Sequence, residues 1–213
     1  FAAEFENPEG RPLMAVLLLS DADATTDATL PFPVSYVVDA SKANAPDLMR
    51  RYRDGGNEVV ALTPLPEGAA PVDVEVAFLS YLSAVPEAVA VMDVPAGTFQ
   101  AGRSLATQVS QALAASGHGM ITYKRGLNSA IQVAEREGVP AALVFSDIDG
   151  IGQNGAAIKR FIDRAAFRAG QQGGVILVGR NRPETIKALL EWGLGNRANT
   201  VAFAPVSVVL QAQ

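Results

Sequence analysis

The 213-residue chain contains no cysteine. Disulfides, thiolate zinc sites, iron–sulfur clusters and cysteine nucleophiles are therefore excluded. It contains one histidine, His118. Any mechanism that draws two imidazoles from one chain is excluded with it, two-histidine zinc sites included. Charged residues make up only 18% of the chain and sum to a net −5. A mildly acidic protein of this kind is not built to hold nucleic acid or anionic lipid through bulk electrostatics. The longest strongly apolar run is Leu13–Leu19, far short of the roughly 20 residues of a membrane span. Neither a signal peptide nor a G-x-S-x-G nucleophile elbow is visible. The chain opens on Phe1 rather than Met, so it is expected to be a segment of a longer protein, with any leader or anchor upstream.

What is present is a large apolar fraction, 49% hydrophobic, enough for a packed core. The expected organisation is an extended lead-in over 1–12 and a single domain over 13–213. Short β-rich runs fall at Leu13–Leu19, Val34–Val38, Glu58–Leu62, Val89–Met92, Gly119–Tyr123, Ala141–Phe145, Val175–Val178 and Thr200–Phe203. Most are continuous apolar runs, as in strands buried on both faces of a parallel sheet. Helical patterns lie between them. Ala45–Asp54 stops at Gly55-Gly56, and Gly102–Ser116 repeats Leu105, Val109 and Leu113 before Gly117. Val72–Val85 carries Val76, Leu79, Tyr81 and Leu82, and Leu127–Glu137 carries Leu127, Ile131 and Val133. Asn154–Ala169 and Pro183–Trp192 complete the set, the latter with a proline in its first turn. Strand–helix alternation of this period predicts an α/β fold. Seven to eight mostly parallel strands fit an irregular (β/α) barrel, with a doubly wound open sheet as the alternative.

In either architecture ligands bind beyond the C-terminal ends of the strands. The residues that follow each strand are therefore the candidates. They are Asp21 and Asp23 after the first, Thr63 after the third with Asn57 before it, and Asp93 after the fourth. Lys124 and Arg125 follow the fifth, Asp147 and Asp149 the sixth, and Arg180, Asn181 and Arg182 the seventh. Carboxylates and cations are expected to share one cleft there. Gly150-Ile-Gly-Gln-Asn-Gly155 spells the G-x-G-x-x-G phosphate fingerprint. However, Asp147 and Asp149 stand between it and the strand, where they would repel a pyrophosphate. A calcium loop opening on Asp147 would need a glutamate at its twelfth position, where Ile158 stands. His118 precedes a strand and is assigned to capping or packing at the non-catalytic end. Trp192 ends an amphipathic helix and is assigned to the core.

The stretches Gly55–Glu67, Val85–Asp93 and Gly174–Thr185 resemble the divergent polysaccharide deacetylases, most closely an alphaproteobacterial branch. The resemblance runs from about Leu13 to Leu210 and implies a (β/α) barrel of the polysaccharide deacetylase type. It also implies metal-assisted removal of N-acetyl groups from sugars. The family's first strand ends in an Asp-Asp pair, where Ser20-Asp21 stands here. Its G-H-E segment is Gly56-Asn57-Glu58. Its N-N-H-M-G-S loop falls on Met92 to Gly97, with Val94 or Pro95 in the histidine's place. Its strand-end Asp-Ser falls near Tyr123-Lys124, and its G-H-P histidine is Arg180. Every motif histidine is replaced, and His118 stands at no motif position. A reaction of this type needs a metal to polarise the carbonyl, a base for the water and an acid for the amine.

The expectation is therefore a catalytically inactive deacetylase-like domain with no cofactor. Its ligand-binding residues would be Asp21, Asp23, Asn57, Asp93, Lys124, Arg125, Arg180 and Arg182. Arginine grips carboxylates bidentately, and peptidoglycan stem peptides carry carboxylates. The resemblance implies the periplasm, an inner-membrane anchor upstream, and glycan or a murein hydrolase activator as partner. Two other readings remain open at this point. One is an active N-deacetylase with a carboxylate metal site on Asp21, Asp23 and Asp93. The other is a nucleotide-binding enzyme using Gly150–Gly155 and Arg180.

Overall fold

The computed structural model describes residues 1–20, 29–66 and 68–213. Strands and helices alternate along them as β1 (Leu13–Leu19), β2 (Ser35–Asp39), α1 (Ala45–Asp54), β3 (Glu58–Leu62), α2 (Pro71–Ala84), β4 (Ala88–Met92), α3 (Arg103–Ser116) and β5 (Gly119–Tyr123). They continue as α4 (Ser129–Arg136), β6 (Ala141–Asp147), α5 (Gly155–Gln172), β7 (Gly174–Arg180), α6 (Pro183–Gly193), β8 (Ala202–Phe203) and α7 (Val206–Gln211). The hydrogen-bonding order is β2-β3-β4-β5-β6-β7-β1-β8, and β1 also pairs with β2. The order of pairing closes on itself, as in the expected (β/α) barrel rather than an open doubly wound sheet. The chain forms two compact units, one of residue 1 with 37–143 and one of 2–36 with 144–213.

In the unit of 37–143, β4 is the central strand, parallel to β3 on one side and β5 on the other. The ladder continues past the strand ends, where Thr63 N donates to Met92 O (3.1 Å) and Asp93 N to Ile121 O (2.9 Å). These bonds fix the backbone of the first residue beyond each strand. The core beneath them joins Val91 and Met120 to Phe78 of α2, Phe99, and Leu105, Val109 and Leu113 of α3. The expected face of α3 is therefore the observed one.

The expected face of α2 is only half observed. Val74 and Phe78 are buried, with Ala77, Tyr81 and Leu82 packed beside them, whereas Val76 and Leu79 face solvent. The helix carries two apolar stripes, and periodicity alone cannot choose between them. The ring of Phe78 decides, meeting Phe99 edge-on at 5.9 Å. The start of α4 is also later than expected. Leu127 is exposed, and Asn128 adopts φ 52° just before the helix. His118 lies between α3 and β5, at the N-terminal end of that strand, with Nδ1 2.9 Å from Ser116 Oγ.

In the unit of 2–36 and 144–213, β1 lies between β7 and β8, parallel to both. Six of its seven residues are buried, which explains its unbroken apolar run. The register sets Leu19 beside Arg180, and Asp147 of β6 beside Val178. Helix α5 begins at a side-chain cap, with Asn154 Oδ1 accepting from Ala157 N at 3.0 Å. Trp192 is buried as expected, edge-on to Phe203 at 5.8 Å, while Phe32 stacks on Phe203 at 4.0 Å.

Candidate functional site

Two buried carboxylates organise the strand ends, one in each unit. In the unit of 37–143 it is Asp93, fully buried one residue past β4. Its Oδ1 accepts from Val94 N (2.8 Å), Thr98 N (3.0 Å) and Thr98 Oγ1 (2.7 Å). Its Oδ2 accepts from Phe99 N (3.0 Å) and Thr122 Oγ1 (3.3 Å). The carboxylate thus ties down the 3-10 turn at Thr98–Gln100. All five donors are neutral. Burial pushes its pKa up, and the bonds from Thr98, Phe99 and Val94 pull it back only in part.

Around it lies a polar shell. Gln100 Nε2 donates to Thr122 Oγ1 (3.1 Å) and Tyr123 O (2.9 Å). Among the described residues, Thr63 Oγ1 and Gln100 Oε1 are buried without a hydrogen-bond partner. Lys124 and Arg125 follow β5 and are exposed. The Arg125 side chain lies over Gly97, where an added Cβ would come 2.7 Å from Arg125 Cδ at a backbone φ of +73°. Glycine is required there by both space and conformation. Neither Lys124 nor Arg125 forms an ion pair among the described residues.

In the other unit the buried carboxylate is Asp149, whose side chain has no solvent exposure. It accepts from Arg180 Nη1 (2.7 Å), from Arg180 N (3.0 Å) and from Thr185 Oγ1. Arg182 Nε lies 3.2 Å away. Arg180 Nη1 also donates to Asp147 Oδ1 at 2.6 Å. Burial disfavours the charged guanidinium, but the bonds and charges of Asp147 and Asp149 outweigh it and push its pKa up. Arg182 Nη2 donates to Gln153 O (3.3 Å) and Asp149 O (3.4 Å), so it clips the glycine-rich loop from within. A Cβ at Gly150 would lie 2.5 Å from Asp147 Oδ2. That glycine therefore has a packing reason of its own. With α5 capped by Asn154 and two carboxylates at the loop, this is an ion-pair hub rather than a phosphate cradle.

The candidates fall into place as follows. Asp147, Asp149, Arg180 and Arg182 come together. Asp93, Lys124 and Arg125 follow neighbouring strands of the other unit. Asn57 stands at the N-terminal end of β3, where its amide donates to Gly55 O (3.2 Å) and Tyr52 O (3.4 Å). It closes the α1–β3 turn, at the opposite end of the strand from Thr63. Asp21 and Asp23 lie outside the described residues. Four contributors do not stand out in the sequence, one of them Thr122 within β5. Thr98 and Gln100 sit on the loop after β4, and Thr185 sits in the first turn of α6. Asp39 was also passed over, although it ends β2; its Oδ1 accepts from Ser41 N (3.0 Å) and Ser41 Oγ (2.6 Å). A carboxylate directly after an apolar run was the signal available for it.

The barrel agrees with a match to the family model described as divergent polysaccharide deacetylase, over residues 20–210. The chain belongs to that family. Among solved structures, an uncharacterized protein from Agrobacterium tumefaciens superposes with a TM-score of 0.84 at 18% identity, covering 97% of this chain and 92% of that one. A protein from Enterococcus faecalis named for cellobiose-phosphate cleavage superposes at 0.66 with 7% identity, covering 93% and 98%. A lactam utilization protein from Thermus thermophilus superposes at 0.56 with 14% identity, covering 91% and 99%. At such identities these likenesses show the fold alone. No curated protein matches the chain significantly.

The family resemblance implies a metal, and the donor set tests it. Among the described residues no group of three His, Asp or Glu side chains could hold an ion. The lone pairs of Asp93 are engaged by five donors, and those of Asp147 and Asp149 by guanidinium groups. A metal would have to displace a covalently tethered cation from its own counter-charges. These residues do not fit the metal.

Proposed function

We propose that this divergent polysaccharide deacetylase is a non-catalytic domain of the cell envelope that binds the glycan or stem peptides of peptidoglycan. One observation carries the reading. At the position matching the family's G-H-P histidine stands Arg180, and its guanidinium is bound to Asp147 and Asp149. A metal ligand is replaced by a fixed positive charge. Lys124 and Arg125 support the binding half of the proposal. They are exposed, they follow one strand, and no carboxylate in the described residues neutralises them. Two such donors suit a stem-peptide carboxylate. Periplasmic location, an upstream membrane anchor and a murein hydrolase activator as protein partner belong to the same proposal, supported by family membership.

The test has two arms. The purified chain, supplied with zinc, is incubated with oligomers of N-acetylglucosamine and assayed for acetate. No release above a heat-inactivated control is expected; release that a chelator abolishes would overturn the proposal and favour an active carboxylate-based site. In the second arm the chain is sedimented with purified sacculi. Binding is expected, with Lys124→Ala/Arg125→Ala weaker by about tenfold, or ~1.4 kcal/mol. Unchanged sedimentation of that variant would remove these two residues from the site.

A further inference from the structure

Helix α2 is apolar on two faces, and the chain covers one of them. Val74 and Phe78 point into the core. Val72, Val76 and Leu79 follow the i, i+4, i+7 spacing of a single helical face and are 65, 67 and 72% exposed. A helix apolar all round is ordinarily buried all round. The other exposed large apolar side chains among the described residues, such as Leu127, Ile151, Phe167 and Leu194, fall singly on separate elements. Scattered ones are ordinary, whereas a contiguous stripe marks an interaction surface.

The charge beside the stripe narrows what covers it. The ionisable acidic groups of α2 are Asp73 and Glu75, and the helix has no lysine or arginine. Asp73 Oδ2 accepts from Ala70 N (2.7 Å) and Glu75 Oε1 from Gln108 Nε2 (2.8 Å), both neutral donors. Neither carboxylate has a cationic partner among the described residues. On the adjacent α3 the one basic residue is Arg103, in its first turn. A second copy of the chain would bring two more carboxylates into the contact. Three side chains at this spacing match the anchor set of a helix laid along a helix.

We propose that the Val72–Val76–Leu79 face of α2 docks an amphipathic helix of a partner protein whose apolar stripe is flanked by lysine or arginine. The surface gives a place to the partner-binding part of the function proposed above. It is tested without acetate release or sacculi, so either idea can fail alone.

The probe is a labelled amphipathic helical peptide of leucine and lysine, titrated with the whole chain and followed by fluorescence anisotropy. Its counterpart of leucine and glutamate is the control. The basic peptide is expected to bind, and the acidic one to bind at least about tenfold more weakly. V76S/L79S, which leaves the charge unchanged, is expected to lose about tenfold or more in affinity. E75K is expected to weaken binding several-fold and flatten its salt dependence. Melting curves of both variants should match the wild type, because the replaced side chains lie outside the core. Absence of binding, equal binding of the two peptides, or full binding by V76S/L79S would overturn the proposal. So would a dimer in light scattering that V76S/L79S converts to monomer, which would make the occupant a second copy.

Discussion

Asp93 and Asp149 are both fully buried carboxylates just past the end of a strand, and the fold treats them in opposite ways. Asp93 is surrounded by amide and hydroxyl donors that carry no charge. Asp149 is held by the guanidinium of Arg180, with Arg182 beside it. The first is an anchor for a loop. The second is half of a charge-neutral cluster that joins β6, β7 and α6. Burial penalises an ionised carboxylate in both places. At Asp93 neutral donors offset that cost only in part, and its pKa is raised. A fixed cation offsets it directly.

The largest expected effect comes from breaking the charged hub. Arg180→Met leaves Asp149 buried with Arg182 as its remaining cation, and should cost about 3 kcal/mol of stability. Denaturant midpoints measure it. A cost below that of a typical surface change would mean that the pair is solvated and that Asp149 does not depend on its guanidinium partner. Asp93→Asn comes next. The new amide would turn its hydrogens toward Phe99 N or Val94 N, which are donors themselves. A loss of about 2 kcal/mol is expected, together with faster amide exchange across 94–100.

The same variant tests the sign of the titration. The folded-state pKa of Asp93 lies above its unfolded value, so the folded chain retains a proton that the unfolded chain has released. The stability it contributes is fully present below the ordinary carboxylate pKa. It is lost as pH rises through the raised value. The difference in stability between wild type and Asp93→Asn should therefore shrink as pH climbs from acid toward neutral, before levelling. A difference that grows over that interval would contradict the burial argument.

Gly150→Ala is smaller. The new Cβ pushes Asp147, whose side chain is partly exposed and able to move, so roughly 1 kcal/mol is expected. His118 is smallest. Burial holds its pKa below the ordinary value, against the hydrogen bond that the ring donates to the Ser116 backbone. The unfolded chain protonates first on acidification, so its contribution is lost as pH falls below about 6.5. His118→Gln should remove that shallow slope and leave the rest of the profile intact.

How far these features were legible depends on the distance over which they are decided. β1 was expected and found at Leu13–Leu19, because a strand buried on both faces writes its burial into every residue. β6 and β7 run further than their apolar segments, to Asp147 and Arg180. Their polar ends stay in the ladder because a neighbouring strand pairs with them, and composition does not record that. Helix α7 was not anticipated, since Val206-Ser-Val-Val-Leu-Gln211 is short and has β-rich composition. Which polar residues follow the strands is largely readable, because polar residues after apolar runs stand out. Their engagement is not. Arg180 reads as a free cation in the sequence, and its two counter-charges lie 31 and 33 positions away. Only the β6–β7 register brings them together. Asn57 shows the converse error, where a motif match outweighed the fact that the residue precedes its strand.

Arg180 reaches its carboxylates through a single chain, with no separate ion to be recruited. The electroneutrality of the Asp147, Asp149, Arg180 and Arg182 cluster is therefore delivered at synthesis and cannot be stripped by sequestration.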